Sequence, residues 1–540
     1  MRIVAVAGRL VVTCLVATIF VAPLAQAQED LEALLNDAGP AATTASPEAV
    51  ARKGLAGIVN AKFQQKSPDQ LAFLRAVETE SWDQAVLLFT KAFENNPEAN
   101  SSWGRALQGL LQFNAGLQVT GVETLFTAAN PAEIKDFETY WQKAAPQTHY
   151  VWELARINWS PAWTAIFDKN IEFLVKVNDV ETLENVAALE LLAKDSPPES
   201  VARARAEWNL VLAYSLNDKA DLAAKLLAKL MKNPKSPASE ELMKLTAARL
   251  LFQNGYFDAS TRYYDQVSKK SEYWVEAQEE MGWAHIRKGE PQNAIAITKS
   301  LNTPAFVDQL RAETYLVGSL ASLKVCDYTA VAQTLEVFPK NFKERTKVLE
   351  SIASGEQLTT FAPIFEQLKN RKLQAKDLGK AAAKLPRLTV RDGKIYQQAQ
   401  AVKRLEAEAK VAERIYALSI AATGLQGSFE SLAKSLTTRA QSAQAAAQMR
   451  VRDLARTEVE ETKSVLRKLH IVEAEMVQQV MVSSKSETKV APEDKKGTTG
   501  AKGTHTLSFP ADTEVWFDEI GHYKVDVKKA CLNQGAKVVK

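Results

Sequence analysis

Apolar residues recur at intervals of three and four along most of this chain, the signature of helices with one buried face. Trp82, Ala85, Phe89 and Ala92 fall on one such stripe, Pro97 ends it, and Trp103 opens the next. Further along, Ala248, Gly255 and Ser260 are spaced seven and five residues apart, and Gly282, Gly289 and Ala294 repeat that spacing 34 residues later. The small residues at 248 and 282 let two helices approach closely, and Gly255 and Gly289 stand where a first helix ends and a positive φ is wanted. Weaker units surround Tyr214 with Ala223 and Leu320 with Tyr328. From about Asp392 the pattern lengthens. Val402, Leu405, Ala409, Ala412, Tyr416 and Ile420 form one stripe, residues 423–428 break it, and Val465, Leu469, Val472, Met476 and Val480 form another. The expected architecture is all-α: helical hairpins, then an antiparallel pair of long helices.

The alternation of small residue, aromatic, small residue, Pro and Trp over 85–103, and the two units in 34-residue register, resemble the tetratricopeptide repeat. The resemblance covers roughly residues 65–345 and departs from the family between 130 and 200. It implies a helical-hairpin solenoid whose first helices line a concave face. Carried over from the anchors at Val211, Ala248 and Gly282, that face holds Arg205, Trp208, Leu242, Leu245, Arg249, Gln253, Glu276, Glu279, Trp283 and Arg287. Aromatic anchors among charged neighbours suit a peptide or helix, so a protein partner is expected there.

Six further segments complete the organisation. Residues 1–27 read as a secretory leader: Arg2 and Arg9, an apolar run, then Ala25-Gln26-Ala27 as the cleavage site. The run is too short to span a bilayer, and no later stretch approaches that length, so an exported, periplasmic chain without an integral span is expected. Residues 28–64 form an N-terminal linker or helix, 346–391 connecting helices, 392–483 the long hairpin or coiled coil, 484–505 a polar linker, and 506–540 a tail. Leu507, Phe509, Val515, Trp516, Phe517, Tyr523, Val525 and Val527 give that tail short β-like runs too apolar to stay solvated. The long helices pair within the chain or with a second copy, and their sequence permits both.

Composition narrows the classes. With 46% hydrophobic and 24% charged residues, 22 Gly and 19 Pro in 540 positions, helix breakers are depleted and disorder, collagen and disulfide scaffolds are excluded. A net charge of +3 argues against phosphate-driven nucleic-acid binding. After the leader only Cys326 and Cys531 remain, which either pair and tie the tail onto a helix far upstream or stay as two separate thiols. Neither has metal-ligand spacing to a histidine, so no metal or cofactor is expected. His149, His285, His470, His505 and His522 show no catalytic constellation, and the compact set Asp518, Glu519 and His522 reads as a solvated turn. The expected role is a non-enzymatic periplasmic scaffold for a cell-envelope complex, in assembly, transport or surface motility. Its rival is a peptidoglycan-binding or cell-wall-active enzyme. That would use the aromatic cluster 137–167, namely Phe137, Tyr140, Trp141, Tyr150, Trp152, Trp159, Trp163 and Phe167, with Glu350 the nearest match to a catalytic acid.

Overall fold

The computed structural model describes residues 54–144, 173, 177, 185–420, 426–486, 507–508 and 523–524, except 64, 65, 95, 129, 304, 305, 307, 308 and 357. The leader, most of the aromatic cluster, the linker and most of the tail lie outside them. What is described is helical, apart from a two-residue parallel pairing of Leu507–Ser508 (β1) with Tyr523–Lys524 (β2).

The N-terminal helices are Leu55–Asn60 (α1), Pro68–Glu78 (α2), Trp82–Ala92 (α3), Ser102–Asn114 (α4), Gln118–Phe126 (α5) and Glu138–Ala144 (α6). Their starts are written locally: Ser67 and Gln70 form a capping box, and the Ser101 hydroxyl accepts from the Gly104 N–H. Gly109 and Gly121 bring α4 and α5 almost into backbone contact, since a Cβ on either would stand 2.5 Å from the other's carbonyl oxygen.

Next come Val186–Asp195 (α7), Val201–Leu216 (α8), Ala220–Leu230 (α9), Glu240–Gln253 (α10), Phe257–Asp265 (α11), Trp274–Lys288 (α12), Pro291–Leu301 (α13) and Ala312–Lys324 (α14). From α8 onward each packs on the one before it, and α12 also meets α14. The expected breaks are present: Gly255 and Gly289 both sit at φ +81°. Ser260 donates its hydroxyl to the Ala248 carbonyl at 2.8 Å, holding α11 against α10 where small residues were expected.

Tyr328–Ser354 (α15) crosses the boundary expected at 345 and runs as one 27-residue helix despite Pro339. Phe361–Leu368 (α16) and two tight turns over Ala375–Lys384, kinked at Gly379, lead to Gly393–Ile420 (α17) and Gln426–Ser486 (α18). α18 has 61 residues, so it is about 90 Å long at 1.5 Å per residue. It begins at Gln426, inside the break expected at 423–428.

The long pair is not a separate body. Ala433, Leu436, Ala440, Ala447 and Val451 of α18 join Val402, Leu405, Ala409 and Ala412 of α17 in one core with Phe73, Phe89, Leu107 and Leu110 of the N-terminal helices. Farther along, Val465, Leu469 and Val472 leave α17 and enter a second core with Trp283, Tyr315, Phe338 and Phe342 of α12, α14 and α15. α18 is thus a spine that both ends of the helical array pack against. Polar contacts repeat the join: the Glu408 carboxylate of α17 accepts from the N–H groups of Val119 and Thr120 at the start of α5, and Arg414 and Arg439 pair with Asp83 and Glu123.

β2 lies against α13, so the described part of the tail rests on the helical body. Cys326, in the turn between α14 and α15, is disulfide-bonded, and its partner lies outside the described residues. Among the described residues no helix is long and apolar enough to cross a membrane.

Candidate functional site

The first helices do bring their charged residues to one side, but that side is filled. α12 carries Glu276, Glu279 and Glu280 within about one turn, and arginines from four other segments converge on this strip and on α18. From α10, Arg249 donates to Glu276 at 2.6 Å and to both oxygens of Glu280 at 2.7 and 2.8 Å. The Tyr264 hydroxyl donates to Glu280 at 3.2 Å. Arg311, just before α14, gives Glu279 its backbone N–H at 2.8 Å and its Nε at 2.9 Å, and the Thr314 hydroxyl adds a third bond.

The cover is a strap at residues 385–392 together with α18. Arg391 of the strap donates to Glu276 at 2.8 Å, approaches Glu272 at 3.7 Å and lies 4.6 Å over the Tyr273 ring. Arg387 points the other way, giving its N–H and guanidinium to Glu458 of α18 at 3.0 and 3.1 Å and a further bond to the Leu310 carbonyl. Arg345 of α15 completes that centre, donating to Glu458 at 2.7 Å and to the carbonyls of Ala382 and Leu385 at 3.1 Å. A cavity of about 110 Å³ remains between these layers, bordered by Glu272, Glu279, Arg387, Leu378, Leu454 and Glu461.

Electrostatics follow from the crowding. Burial alone would raise the Glu276 carboxyl, but the Arg391, Arg249 and Arg311 guanidinium groups reverse this and hold it well below the usual carboxylate range. Glu458 behaves alike: burial opposes ionisation and Arg387 and Arg345 overcome it. Burial pushes Tyr273 up to about 12 and, with the Glu280 charge, carries Tyr264 well above its ordinary value. Glu461, with no arginine in direct contact, is raised by burial.

Of the residues expected on an open concave face, Arg249, Glu276 and Glu279 therefore belong to this interior network. Arg205, Trp208 and Trp283 are buried as well, and the indole N–H groups of both tryptophans lack a hydrogen-bond partner. Gln253 is half-buried. Arg287 alone is exposed, its guanidinium 5.4 Å from the Phe257 ring. An open groove is thus corrected to a closed one, because the chain lays its own strap and spine where a peptide was expected. Glu280, Tyr264, Arg311, Arg345, Arg387, Arg391 and Glu458 were missed by sequence reading. The one available signal was the density of acids in Glu276-Ala277-Gln278-Glu279-Glu280 beside small, helix-crossing residues.

The described part of the aromatic cluster is structural. Phe137 and Trp141 are fully buried, with Phe137 5.1 Å from Trp103 and Trp141 5.9 Å from Phe113. Tyr150, Trp152, Trp159, Trp163 and Phe167, like Asp518, Glu519, His522 and Cys531, lie outside the described residues. Glu350 forms a surface pair with Lys463 at 2.9 Å.

One stretch of α18 stands out against the closed interior. Along the last turns of α18, Val477, Val480, Met481 and Val482 are 42–59% exposed, and Ile471 nearby is 49% exposed, although Gln479 still accepts from the Tyr328 hydroxyl of α15. Monomers rarely gather so many large apolar side chains on a few turns without a use for them. No family model, no curated protein and no solved structure matches this chain.

Proposed function

We propose that this protein is a non-enzymatic, exported scaffold of the tetratricopeptide-like kind, working in the cell envelope through protein contacts made by the exposed apolar residues of the last turns of α18. The observation that carries this reading is the exposed apolar set Ile471, Val477, Val480, Met481 and Val482 on a helix whose remaining length is used to hold the body together. The tetratricopeptide part is supported by the 34-residue register of Ala248 and Gly282, the positive φ at Gly255 and Gly289, and the Ser260 to Ala248 bond. Export rests on the leader-like residues 1–27. The rival reading, a cell-wall enzyme or glycan binder, loses Phe137 and Trp141 to the core.

The test is a photo-crosslinking residue placed at Val480 in the cell, with another at the exposed Lys403 as a control. Specific adducts from 480 that vanish in a Val477→Glu, Met481→Glu variant of unchanged melting temperature support the scaffold. Absence of any adduct from 480, together with muropeptide release by the purified chain, would replace it with the enzyme.

A further inference from the structure

We infer that the C-terminal tail is a cover seated on α13 and latched by the Cys326 disulfide, so that reduction of this bond releases it. The latch stands apart from the scaffold reading, and neither depends on the other. α13 differs from the second helices of the preceding hairpins. α9 and α11 bury one stripe each, Ala220, Ala223, Leu227 and Leu230 in the first and Ser260 and Tyr264 in the second. α13 instead buries five consecutive residues, Ala294 to Thr298, and then Ser300 and Leu301. Successive residues stand about 100° apart around a helix, so five in a row leave no side of it open. The hairpin neighbours account for most of that burial. Ala294 and Ile295 enter the core with Trp283 and Tyr315, Ile297 and Leu301 enter the one with Trp274 and Ala277, and Thr298 lies against Gly318 of α14. Ala296 and Ser300, one turn apart and only 1% and 0% exposed, fall on the remaining side. β2 is the third element packed on α13. Side chains this small let an extended segment come close, so this side is the seat of the tail.

Cys326 supplies the latch. It holds the place in its hairpin that Gly255 and Gly289 hold in theirs. The Asp327 N–H bonds the Ser322 carbonyl, as Tyr256 bonds Leu251 and Glu290 bonds His285, each at 2.9 Å, and Cys326 stands at φ +59° where the glycines stand at +81°. A side chain is disfavoured at that turn position, so a cysteine there costs stability that a glycine would not. Its sulfur is nonetheless bonded. Of the other cysteines, Cys14 lies in the leader and Cys531 follows β2 by seven residues, so a tail seated on α13 brings Cys531 to this part of the array. Cys326 is partly exposed, between exposed Lys324 and Asp327, which leaves the bond open to attack by an external dithiol. Opening it takes two electrons and two protons. The dithiol supplies them and becomes a disulfide, and the sulfurs of Cys326 and Cys531 become thiols.

The experiment is trypsin cleavage at Lys524 and hydrogen exchange in α13, measured on the purified full chain with and without a dithiol reductant. The inference expects cleavage about ten-fold faster after reduction, because cleavage follows the population of the released form. It expects α13 to exchange faster while α11, already open on its outer side, stays unchanged. Cys326→Gly gives the turn the residue of its sister hairpins, so the helices should keep their exchange pattern apart from α13, with the tail cleaved at the reduced rate whether or not dithiol is present. Ala296→Glu should speed cleavage at Lys524 with the disulfide still closed. Equal cleavage rates in the oxidised and reduced chain overturn the inference, as does a mapped peptide joining Cys326 to Cys14. Either result would leave the crosslinking test of the scaffold reading untouched.

Discussion

Arg249 shows how a residue's meaning changes when its neighbours are known. On the sequence it is a solvent-facing arginine on a repeat helix; in the fold its side chain is 4% exposed and spans Glu276 and Glu280. Removing one member of a buried ion cluster leaves the others uncompensated and typically costs about 3–5 kcal/mol. Arg249→Ala is therefore expected to lower stability by about that amount in urea unfolding, and Arg249→Glu by more, so neither reports on partner binding. Arg287→Glu, at an exposed position, should change stability by less than about 0.5 kcal/mol. The same cluster sets an acid limit. Glu276 and Glu458 have folded values below those of the unfolded chain, so their stabilisation is fully present above about pH 4.3 and is lost as pH falls towards the folded values. Glu461 and Glu313 are raised by burial and act in the opposite sense, losing stability as pH rises above about 4.3. The two depressed groups belong to direct ion pairs, so a net loss on acidification below about pH 4.3 is expected in thermal melts. Glu276→Gln should flatten that loss; an unchanged slope would show that the cluster does not set it.

At the scale of elements, the close crossings decide what can be substituted. Gly121 faces the Gly109 carbonyl and the backbone of Phe113, so Gly121→Ala forces α4 and α5 apart and is expected to cost about 1–3 kcal/mol. At Gly282 an added Cβ would meet only the Val317 side chain at 3.0 Å, which can shift, so Gly282→Ala should be the milder change. Denaturant midpoints of the two variants give the comparison. Reading from sequence assigned the tight crossing to Gly282 because that glycine falls in the 34-residue register. Gly109 and Gly121 carry no such mark, and only the packed pair reveals them. Glu408 makes a related point. It sits on α17 as one charged residue among many, yet it caps α5 from 288 residues away. Glu408→Ala should weaken the join between α17 and the N-terminal helices, seen as earlier hydrogen exchange in α5 than in α12.

For the whole molecule, the disulfide is the outstanding covalent question. Cys326 is bonded, β2 rests on α13, and Cys531 stands seven residues after Lys524. We expect the pair to be Cys326 with Cys531, which peptide mapping of non-reduced protein will report directly. A peptide joining Cys326 to Cys14, or a free thiol at 531, would exclude it. Closing so long a loop removes roughly 5 kcal/mol of unfolded-state entropy in the chain-entropy account, so reduction should lower the melting temperature. The sequence by itself determined what depends on neighbours along the chain. The helices, the repeat register and the breaks at Gly255 and Gly289 follow from side-chain period, small-residue spacing and φ preference, all local. It also marked Val465, Leu469 and Val472 as a buried stripe, since a stripe needs only its own helix. Which surface each stripe meets was decided by tertiary structure alone: that stripe turned from α17 to α14 and α15, and Arg249, Glu276 and Glu279 went from an expected open groove to a sealed network. The reason is physical. A charged residue on a helix is equally at home in water or against an opposite charge. Its choice is made by partners such as Glu280, Arg311 and Arg391, which packing brings to it across 31, 32 and 115 residues of sequence.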